Sequence, residues 1–321
     1  TACMVFHGEL YARRPHPARL PWFYLAVALG GAIGGVLVNV IAPQVFTDYT
    51  EFHWIGLIAA GYTLYLAWDR YRLFNGRAAN GAWAGLFTLA MLLYAKNVFL
   101  TPYYGADSRV LAEARNFYGT AKVTDTATRR VMYNGTILHG LQEKDPKTGQ
   151  LLMKPPSYFA TNSAVGVADR LTRGRHPGHL RHIGVIGLGV GTIALYGQAG
   201  DAVTFFEINP AVEPMARQHF TYLEQSPARP SVLLGDARLT LQQLPPQQFD
   251  ILVVDAFNND AIPVHLLTKE AVDLYLSHLK PDGLLLFHIT NYYLDLNPVL
   301  VHEQGASIVD ARVRIRSDEA G

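Results

Sequence analysis

Residues 182–191 read His-Ile-Gly-Val-Ile-Gly-Leu-Gly-Val-Gly, and this stretch decides how the C-terminal part of the chain folds. The apolar residues before Gly187 predict a short buried β-strand. Gly187, Gly189 and Gly191 then follow at alternate positions. Glycines in this place let the backbone approach a ligand closely and leave the N–H groups of the next helix free to bind it. A Gly-x-Gly-x-Gly run alone is weak evidence, so its neighbours must support the same interpretation.

Predicted strands and helices alternate beyond the glycines. We predict further strands at Val203–Ile208, Ser231–Leu234, Phe249–Asp255, Leu284–Ile289 and Ile308–Ile315, and helices at Thr192–Gln198, Ala211–His219 and Lys269–Leu279. This alternation indicates parallel strands joined by right-handed helical crossovers, and therefore an α/β doubly wound domain over residues 161–321. Because the chain stops soon after the sixth strand, we expect the sheet to lack its last strand.

Three acids end successive predicted strands, at Glu207, Asp236 and Asp255. Ligands of open parallel sheets bind at the carboxyl ends of the strands. We expect Glu207 to accept hydrogen bonds from ribose hydroxyls and Asp236 to face the amino group of an adenine. Asp255 is expected to point beyond the nucleoside. Each acid alone is explained as well by a helix N-cap or a solvated loop, but their register with the glycine loop predicts a nucleoside site.

Residues 107–160 have a different pattern, with short alternating runs around an Asn134-Gly135 turn. Such a turn between β-prone runs is a strong hairpin signal. We therefore predict a small antiparallel β domain before the α/β domain.

The first 106 residues are predicted to lie in a membrane. No charged residue occurs between Arg19 and Asp48, and three apolar spans are expected at 21–46, 52–68 and 82–100. A helix of roughly 20 residues crosses a hydrocarbon core of about 30 Å. Buried helices of a soluble protein are the alternative, although three such runs so close together are unusual. The first residues resemble a loop between membrane helices rather than a signal peptide, which suggests a fragment of a longer protein.

Loop charges leave the orientation open. Arginines precede both the first and the third span, which places both loops in the cytoplasm and residues 107–321 outside after three crossings. A cytoplasmic co-substrate requires the opposite, unless one span is re-entrant.

Composition excludes other classes of function. The chain of 321 residues has a formal net charge of +1, which gives no reason to expect a nucleic-acid partner. One cysteine excludes an internal disulfide, and the histidines and acids show no metal-ligand spacing.

The runs Ile183–Gly191, Phe206–Pro210, Gly235–Ala237 and Phe249–Asp255 together resemble the spermidine synthase (polyamine aminopropyltransferase) family. Residues 138–142, Leu-His-Gly-Leu-Gln, are similar to the Leu-Asp-Gly-x-x-Gln segment that ends the β domain of that family. The membrane segment resembles bacterial spermidine synthase-like proteins fused to transporter-like helices. The resemblance covers roughly residues 115–300 and implies a Rossmann-like domain of the class I S-adenosylmethionine type.

The resemblance also implies a reaction, in which an aminopropyl group passes from decarboxylated S-adenosylmethionine to an amine without a metal. Asp255 would take the proton of the amine or orient it, and Tyr158 would act beside it. The expected nucleoside-binding residues are Gln142, Gly187, Gly189, Gly191, Glu207, Asp236 and Ala237, and the expected substrate contacts are Asn258, Asp260 and His288. His139 and His265 are expected to be structural, and a packed or hydrogen-bonded role is the alternative for His288. The resulting picture is a multi-pass protein of the bacterial inner membrane, with a cytoplasmic catalytic domain, that forms a homodimer.

Departures from the family pattern leave the acceptor open. The family's Asp-Ser-x-Asp-Pro reads Asp255-Ala256-Phe257-Asn258-Asn259-Asp260 here, and Tyr158 is followed by Phe159 rather than by the family's segment with a Glu. Fewer acids suit the two ammonium groups of putrescine less well. An S-adenosylmethionine-dependent methyltransferase, a lyase or cyclase, and a non-catalytic polyamine or nucleoside sensor of a transporter-like domain are the alternatives.

Overall fold

The structure is a computed structural model that describes residues 2–69, 85, 87–96, 107–135, 137–156, 159–256, 262–288, 299–302 and 305–308. The chain divides into two compact units, residues 1–106 and residues 107–321.

The N-terminal unit is helical. Its helices are α1 (Ala2–Ala12), α2 (Leu20–Val36), α3 (Ala42–Val45), α4 (Thr50–Asp69) and α5 (Phe87–Lys96). Phe6 of α1 stacks on Tyr62 of α4, with ring centroids 5.6 Å apart. The predicted span 52–68 lies within α4, and the described part of the span 82–100 lies in α5.

One helix in the described residues is long and apolar enough to cross a membrane, by length and composition. It is the continuous helical segment Pro17–Val45 of 29 residues, and it contains the predicted span 21–46 except for Phe46. A π-helical turn, Leu37–Ile41, interrupts it just before Pro43. Proline has no N–H and its ring crowds the carbonyl four residues earlier, so a wider turn at Asn39 accommodates it.

The C-terminal unit contains a seven-stranded sheet with the order β11-β10-β9-β8-β5-β6-β7. Its strands are β5 (His182–Ile186), β6 (Ala202–Glu207), β7 (Arg229–Leu234), β8 (Phe249–Val254), β9 (Leu279–Phe287), β10 (Val299–His302) and β11 (Gly305–Ile308). The strands from β5 to β9 are mutually parallel. The predicted α/β doubly wound fold is therefore confirmed.

The edge of this sheet differs from the prediction. β10 pairs antiparallel with β9, and β11 pairs antiparallel with β10, so a hairpin closes the sheet. The expectation of a missing last strand is thus wrong. The four-residue strands β10 and β11 are separated in the sequence by Glu303-Gln304, whereas we assigned a single strand to Ile308–Ile315. The run Gly305–Ile308 is rich in small residues and carries no strong strand signal. Residues 309–315 lie outside the described part of the chain.

A second, four-stranded antiparallel sheet has the order β1-β2-β3-β4, formed by Arg109–Asn116, Gly119–Asp125, Arg129–Asn134 and Ile137–Glu143. It confirms the antiparallel sheet in the predicted fold class. It is not a separate domain, however, because Ala121, Val123 and Met132 are buried in the same apolar cluster as Val185 and Phe205 of the large sheet. The predicted boundary at residue 160 therefore divides one shared core.

Helices cover both faces of the large sheet. They are α6 (Ala164–Arg175), α7 (Val212–His219), α8 (Ala237–Gln243) and α9 (Lys269–Ser277). Val185 packs with α6, α7 and the small sheet, while the next residue, Ile186, packs with α8 and α9. Alternate residues of a strand point to opposite faces, and both faces are buried here, which explains the uninterrupted apolar runs in the sequence. The predicted helix Thr192–Gln198 is a 3-10 helix, Thr192–Tyr196.

A buried ion pair joins the start of β5 to the loop before β6. The Arg181 guanidinium donates to Asp201 Oδ2 at 2.9 Å and to Asp169 Oδ1 at 2.8 Å, and the Arg181 N–H donates to Asp201 Oδ1 at 2.9 Å. Burial acts to raise the pKa of Asp201, but the N–H groups of Arg181 and Gln198 and the Arg181 guanidinium outweigh it, so the pKa is lowered.

We predict that Asp201→Asn destabilises the unit of residues 107–321 by about 3–5 kcal/mol, because it leaves a buried guanidinium short of its counter-charge. Since the folded pKa of Asp201 is lowered, its stabilisation is complete above pH of about 4 and is lost as the pH falls through the lowered value. Hydrogen exchange of the β5 and β6 amides at pH 7 and pH 3 measures both effects. Asp273→Asn, in an exposed pair with Lys269, is the matched control and should change little.

Candidate active site

The carboxyl ends of the parallel strands are held in register by hydrogen bonds just beyond the strands. Gly187 N–H donates to the Phe206 carbonyl at 2.8 Å, and Asp255 N–H donates to the Ile186 carbonyl at 2.8 Å. Gly235 N–H donates to the carbonyl of Glu207 at 2.9 Å. The sheet ladder itself therefore brings the glycine loop and the strand-end acids to one edge, as the sequence predicts.

The glycine loop has a backbone that side chains would not allow. Gly187, Gly189 and Gly191 have φ angles of +102°, +52° and +82°. A Cβ on Gly187 would lie 2.4 Å from the carbonyl oxygen of Asp255, and one on Gly189 would lie 2.7 Å from that of His139. The loop is thus packed directly between the end of β8 and strand β4.

Glu207 is buried beside this loop, with 8% of its surface exposed. Its Oε2 accepts the N–H of Leu188 at 3.0 Å, and its Oε1 accepts the N–H of Asn209 at 2.8 Å. Burial raises the pKa of Glu207, and the N–H groups of Asn209, Leu188 and Ile208 oppose the rise. Each oxygen keeps a lone pair, so the oriented carboxyl can accept further hydroxyl donors, as the predicted ribose role requires.

Asn209 is a candidate that the sequence did not indicate. It is 4% exposed, and its Oδ1 accepts hydrogen bonds from the Ala211 N–H at 3.0 Å and from Asn116 Nδ2 at 2.7 Å. Its own Nδ2 is buried without a partner among the described residues. A buried amide nitrogen two residues after Glu207 suits a hydroxyl of the same ligand. Its position in Glu207-Ile208-Asn209-Pro210 is the signal that could have found it.

Asp236 caps helix α8, of which Ala237 is the first residue. Its Oδ1 accepts the N–H of Leu239 at 3.0 Å, and its Oδ2 lies 2.9 Å from Nε2 of His265. The simpler explanation, an N-cap, therefore accounts for one oxygen. The adenine contact stays a prediction.

Asp255 directly follows β8 and pairs with His288, which directly follows the neighbouring strand β9. Its Oδ1 lies 2.5 Å from Nδ1 of His288. The backbone N–H of His288 donates to the Val254 carbonyl at 2.9 Å. The ring of Phe159 packs against that of His288, with centroids 5.9 Å apart. His288, expected to contact the substrate, is therefore placed as the partner of the Asp255 carboxylate.

His139 lies in the same cleft, which the expected structural role did not anticipate. His139, Phe159, Leu188, Thr192 and Asp255 are among the residues that line it, with the glycine loop forming one wall. The Nε2 atom of His139 is buried and has no hydrogen-bond partner among the described residues. Burial lowers the pKa of His139, and the nearby Asp255 carboxylate opposes that effect.

Gln142, expected to hold the nucleoside, is not brought into this cleft. Its side chain is fully buried, and its Nε2 donates to Thr221 Oγ1 at 2.6 Å and to the Leu152 carbonyl at 3.1 Å. Its Oε1 accepts the N–H of Thr221 at 3.0 Å. Both ends of the amide are used in joining β4 to the loop after α7. Tyr158, Asn258 and Asp260 lie outside the described residues.

Comparison with known proteins agrees with this geometry, although no protein-family model matches the chain. A polyamine aminopropyltransferase from Vibrio vulnificus (strain CMCP6) is 32% identical over 108 residues, which are 32% of this chain and 35% of that protein. This chain is similar to the spermidine synthase family. An N-terminal histidine N-methyltransferase from Emericella nidulans is 36% identical over 107 residues, or 32% of this chain and 18% of that protein.

Among solved structures, a probable spermidine synthase from Corynebacterium glutamicum ATCC 13032 superposes with a TM-score of 0.44 at 17% identity, covering 56% of this chain and 62% of that one. The spermidine synthase-like chain spans well under two thirds of both curated relatives. The part shared with the curated relatives is similar to methyltransferases and aminopropyltransferases that use an S-adenosyl donor.

We predict that Gly187→Ala lowers the stability of the residue 107–321 unit by at least about 2 kcal/mol, because the methyl group meets the Asp255 carbonyl at a left-handed φ. Hydrogen exchange of the β5 and β8 amides, which belong to this unit alone, measures the loss. The matched control is Gly174→Ala in α6, where a Cβ meets nothing within 4 Å. It should be neutral or slightly stabilising, and equal effects of the two substitutions would contradict the close approach.

Proposed function

We propose that the chain is a membrane-attached aminopropyltransferase-like enzyme, which transfers an aminopropyl group from decarboxylated S-adenosylmethionine to an amine. The observation that carries the proposal is the Asp255 carboxylate, which lines one cleft together with the glycine loop, in a chain similar to a polyamine aminopropyltransferase. Glu207 and the glycine loop hold the nucleoside in this proposal. Asp236 and Ala237 hold the adenine.

The chemistry asks little of the protein beyond alignment and proton removal. The sulfonium of the donor supplies an electrophilic carbon and a good leaving group, so no metal is required. An amine is protonated at neutral pH and cannot attack until it loses a proton. Asp255 orients the ammonium or takes its proton, and the hydrogen bond to His288 fixes the position of the carboxylate.

Methyl transfer is the second candidate, favoured by the similarity to an N-terminal histidine N-methyltransferase. The glycine loop and Glu207 suit S-adenosylmethionine as well as its decarboxylated form. The nature of the product separates the two candidates. Lyase or cyclase chemistry consumes the donor without an acceptor, and a sensor gives no product.

We predict that the purified full chain, given decarboxylated S-adenosylmethionine and a panel of amines, releases methylthioadenosine. Asp255→Asn should lower kcat by about 10²–10⁴-fold, because the carboxylate that faces the amine loses its charge. Chromatography of the nucleoside product measures both. Asp282→Asn, in an exposed pair with His176, is the control and should keep full activity.

S-adenosylhomocysteine formed from S-adenosylmethionine would favour methyl transfer instead. Binding of methylthioadenosine without any turnover would favour the sensor. No methylthioadenosine with any amine contradicts the aminopropyltransferase proposal.

Membrane attachment is the second half of the proposal, with the catalytic unit in the cytoplasm of a bacterium. The helical segment Pro17–Val45 supports it by its length and by a mean hydropathy of 2.2 over its most apolar window. Trp22, Tyr24, Leu25, Leu29 and Ile33 of this segment are all more than half exposed. Apolar surface of this extent needs a cover, which a bilayer provides. Crossings by the other predicted spans, 52–68 and 82–100, and the homodimer stay predictions.

We predict that the full chain stays with the membrane pellet after extraction at alkaline pH. Replacing Gly31 and Ile33 by lysine should release it, since each charge at a helix centre costs about 2.5–3.5 kcal/mol of insertion. Fractionation followed by immunoblotting measures the distribution. A matched double lysine substitution at the exposed positions Phe117 and Leu180, in the other unit, should leave it unchanged. Two outcomes would contradict the anchor. The wild-type chain would be extracted at alkaline pH, or it would be found without this segment because the segment had been cleaved off.

A further inference from the structure

His139 is the titratable group that the proposed reaction leaves unused. It lies on β4, where its own carbonyl and the following residue, Gly140, lie close to the glycine loop. Gly140 approaches Val190 so closely that a Cβ would lie 2.7 Å from Val190 Cγ2, and the carbonyl of His139 is equally close to the Cβ position of Gly189. The backbone of His139 is therefore fixed against the glycine loop, and this restricts where its imidazole can lie.

The imidazole also lacks the partner that a structural histidine needs. Its Nε2 is buried and unpartnered in the described residues, and it lines the same cleft as Asp255. Leaving a buried polar atom unsatisfied costs about 1–3 kcal/mol. By contrast, His182 has partners for both nitrogens, the Gln247 carbonyl at 3.0 Å and Thr204 Oγ1 at 2.9 Å. A ligand in the cleft gives His139 the missing partner.

We propose that His139 is a further catalytic residue, the general base that takes the proton of the acceptor amine while Asp255, held by His288, binds the ammonium. This inference rests on the proposed aminopropyl transfer. The proposed function allows Asp255 either to orient the ammonium or to take its proton, and the inference gives the second role to His139. An imidazole is a stronger base than a carboxylate and therefore takes the proton of an ammonium more readily. The Asp255 charge also stabilises the imidazolium that forms.

The step balances without a further reactant. An N–H bond of the ammonium breaks, and the proton goes to the imidazole of His139. The freed electron pair on nitrogen forms the new N–C bond. The C–S bond breaks at the same carbon, and its electron pair returns to sulfur, which becomes a neutral thioether. His139 then gives its proton to solvent.

The test compares His139→Gln with the wild-type full chain, using decarboxylated S-adenosylmethionine and the amine that turns over fastest. Glutamine keeps a polar group in place but takes up no proton near neutral pH. We expect kcat to fall about 10²–10⁴-fold, with methylthioadenosine affinity unchanged within about threefold. In His139→Ala, added imidazole should restore part of the rate. His176→Ala, at an exposed pair with Asp282, is the control and should behave as wild type.

The pH profile of kcat/KM gives a readout that a structural role would not change. The titratable groups of the described residues that face His139 are Asp255, just after β8, and, paired with it, His288, just after β9. Burial lowers the pKa of His139, so it is neutral at pH 7 and loses its base function as the pH falls. We expect an acidic limb with a midpoint below pH of about 6.5 that is absent in His139→Gln.

A His139→Gln protein with a wild-type rate and the same acidic limb would overturn this assignment while leaving aminopropyl transfer in place. If the wild-type chain forms no methylthioadenosine, aminopropyl transfer itself fails. The two failures are therefore distinguished by the wild-type assay.

Discussion

The close approach of Gly187 to the carbonyl of Asp255 is the constraint on which the cleft depends. Only a residue without a side chain fits there, and its left-handed φ turns the chain sharply out of β5. The turn aims the Leu188 N–H at the carboxyl of Glu207. One backbone contact thus sets the distance between the end of β8, which Asp255 follows, and the glycine loop.

The small sheet completes this arrangement from the other side. Strand β4 packs on the glycine loop through Gly140 and Val190, and the core residues of β2 and β3 continue into the core of the large sheet. This shared core explains why residues 107–321 form one compact unit. It also explains how a residue of the small sheet, His139, reaches a cleft that the sequence predicts from the large sheet alone.

Local patterns were sufficient to predict the parallel strands, the Asn134-Gly135 hairpin and the register of Glu207 with the glycines. These features depend on periodicity and on glycine stereochemistry, both of which are visible in a short window. Local patterns did not predict the position of Gln142, whose side-chain amide is hydrogen-bonded to Thr221. Which partner a buried amide finds is a tertiary property, and neighbours in the sequence do not specify it.

The proposed nucleoside side and the proposed acceptor side differ in how far their polar groups already have hydrogen-bond partners. On the nucleoside side, each oxygen of Glu207 is fixed by a backbone N–H, an arrangement that needs no particular acceptor. On the acceptor side, Asp255 is paired with a histidine, and His139 keeps a buried nitrogen without a partner in the described residues. Groups fixed by backbone suit a cofactor common to many reactions, whereas side-chain groups can change without disturbing the sheet. The chemistry that distinguishes this chain is therefore expected at the ends of β4, β8 and β9.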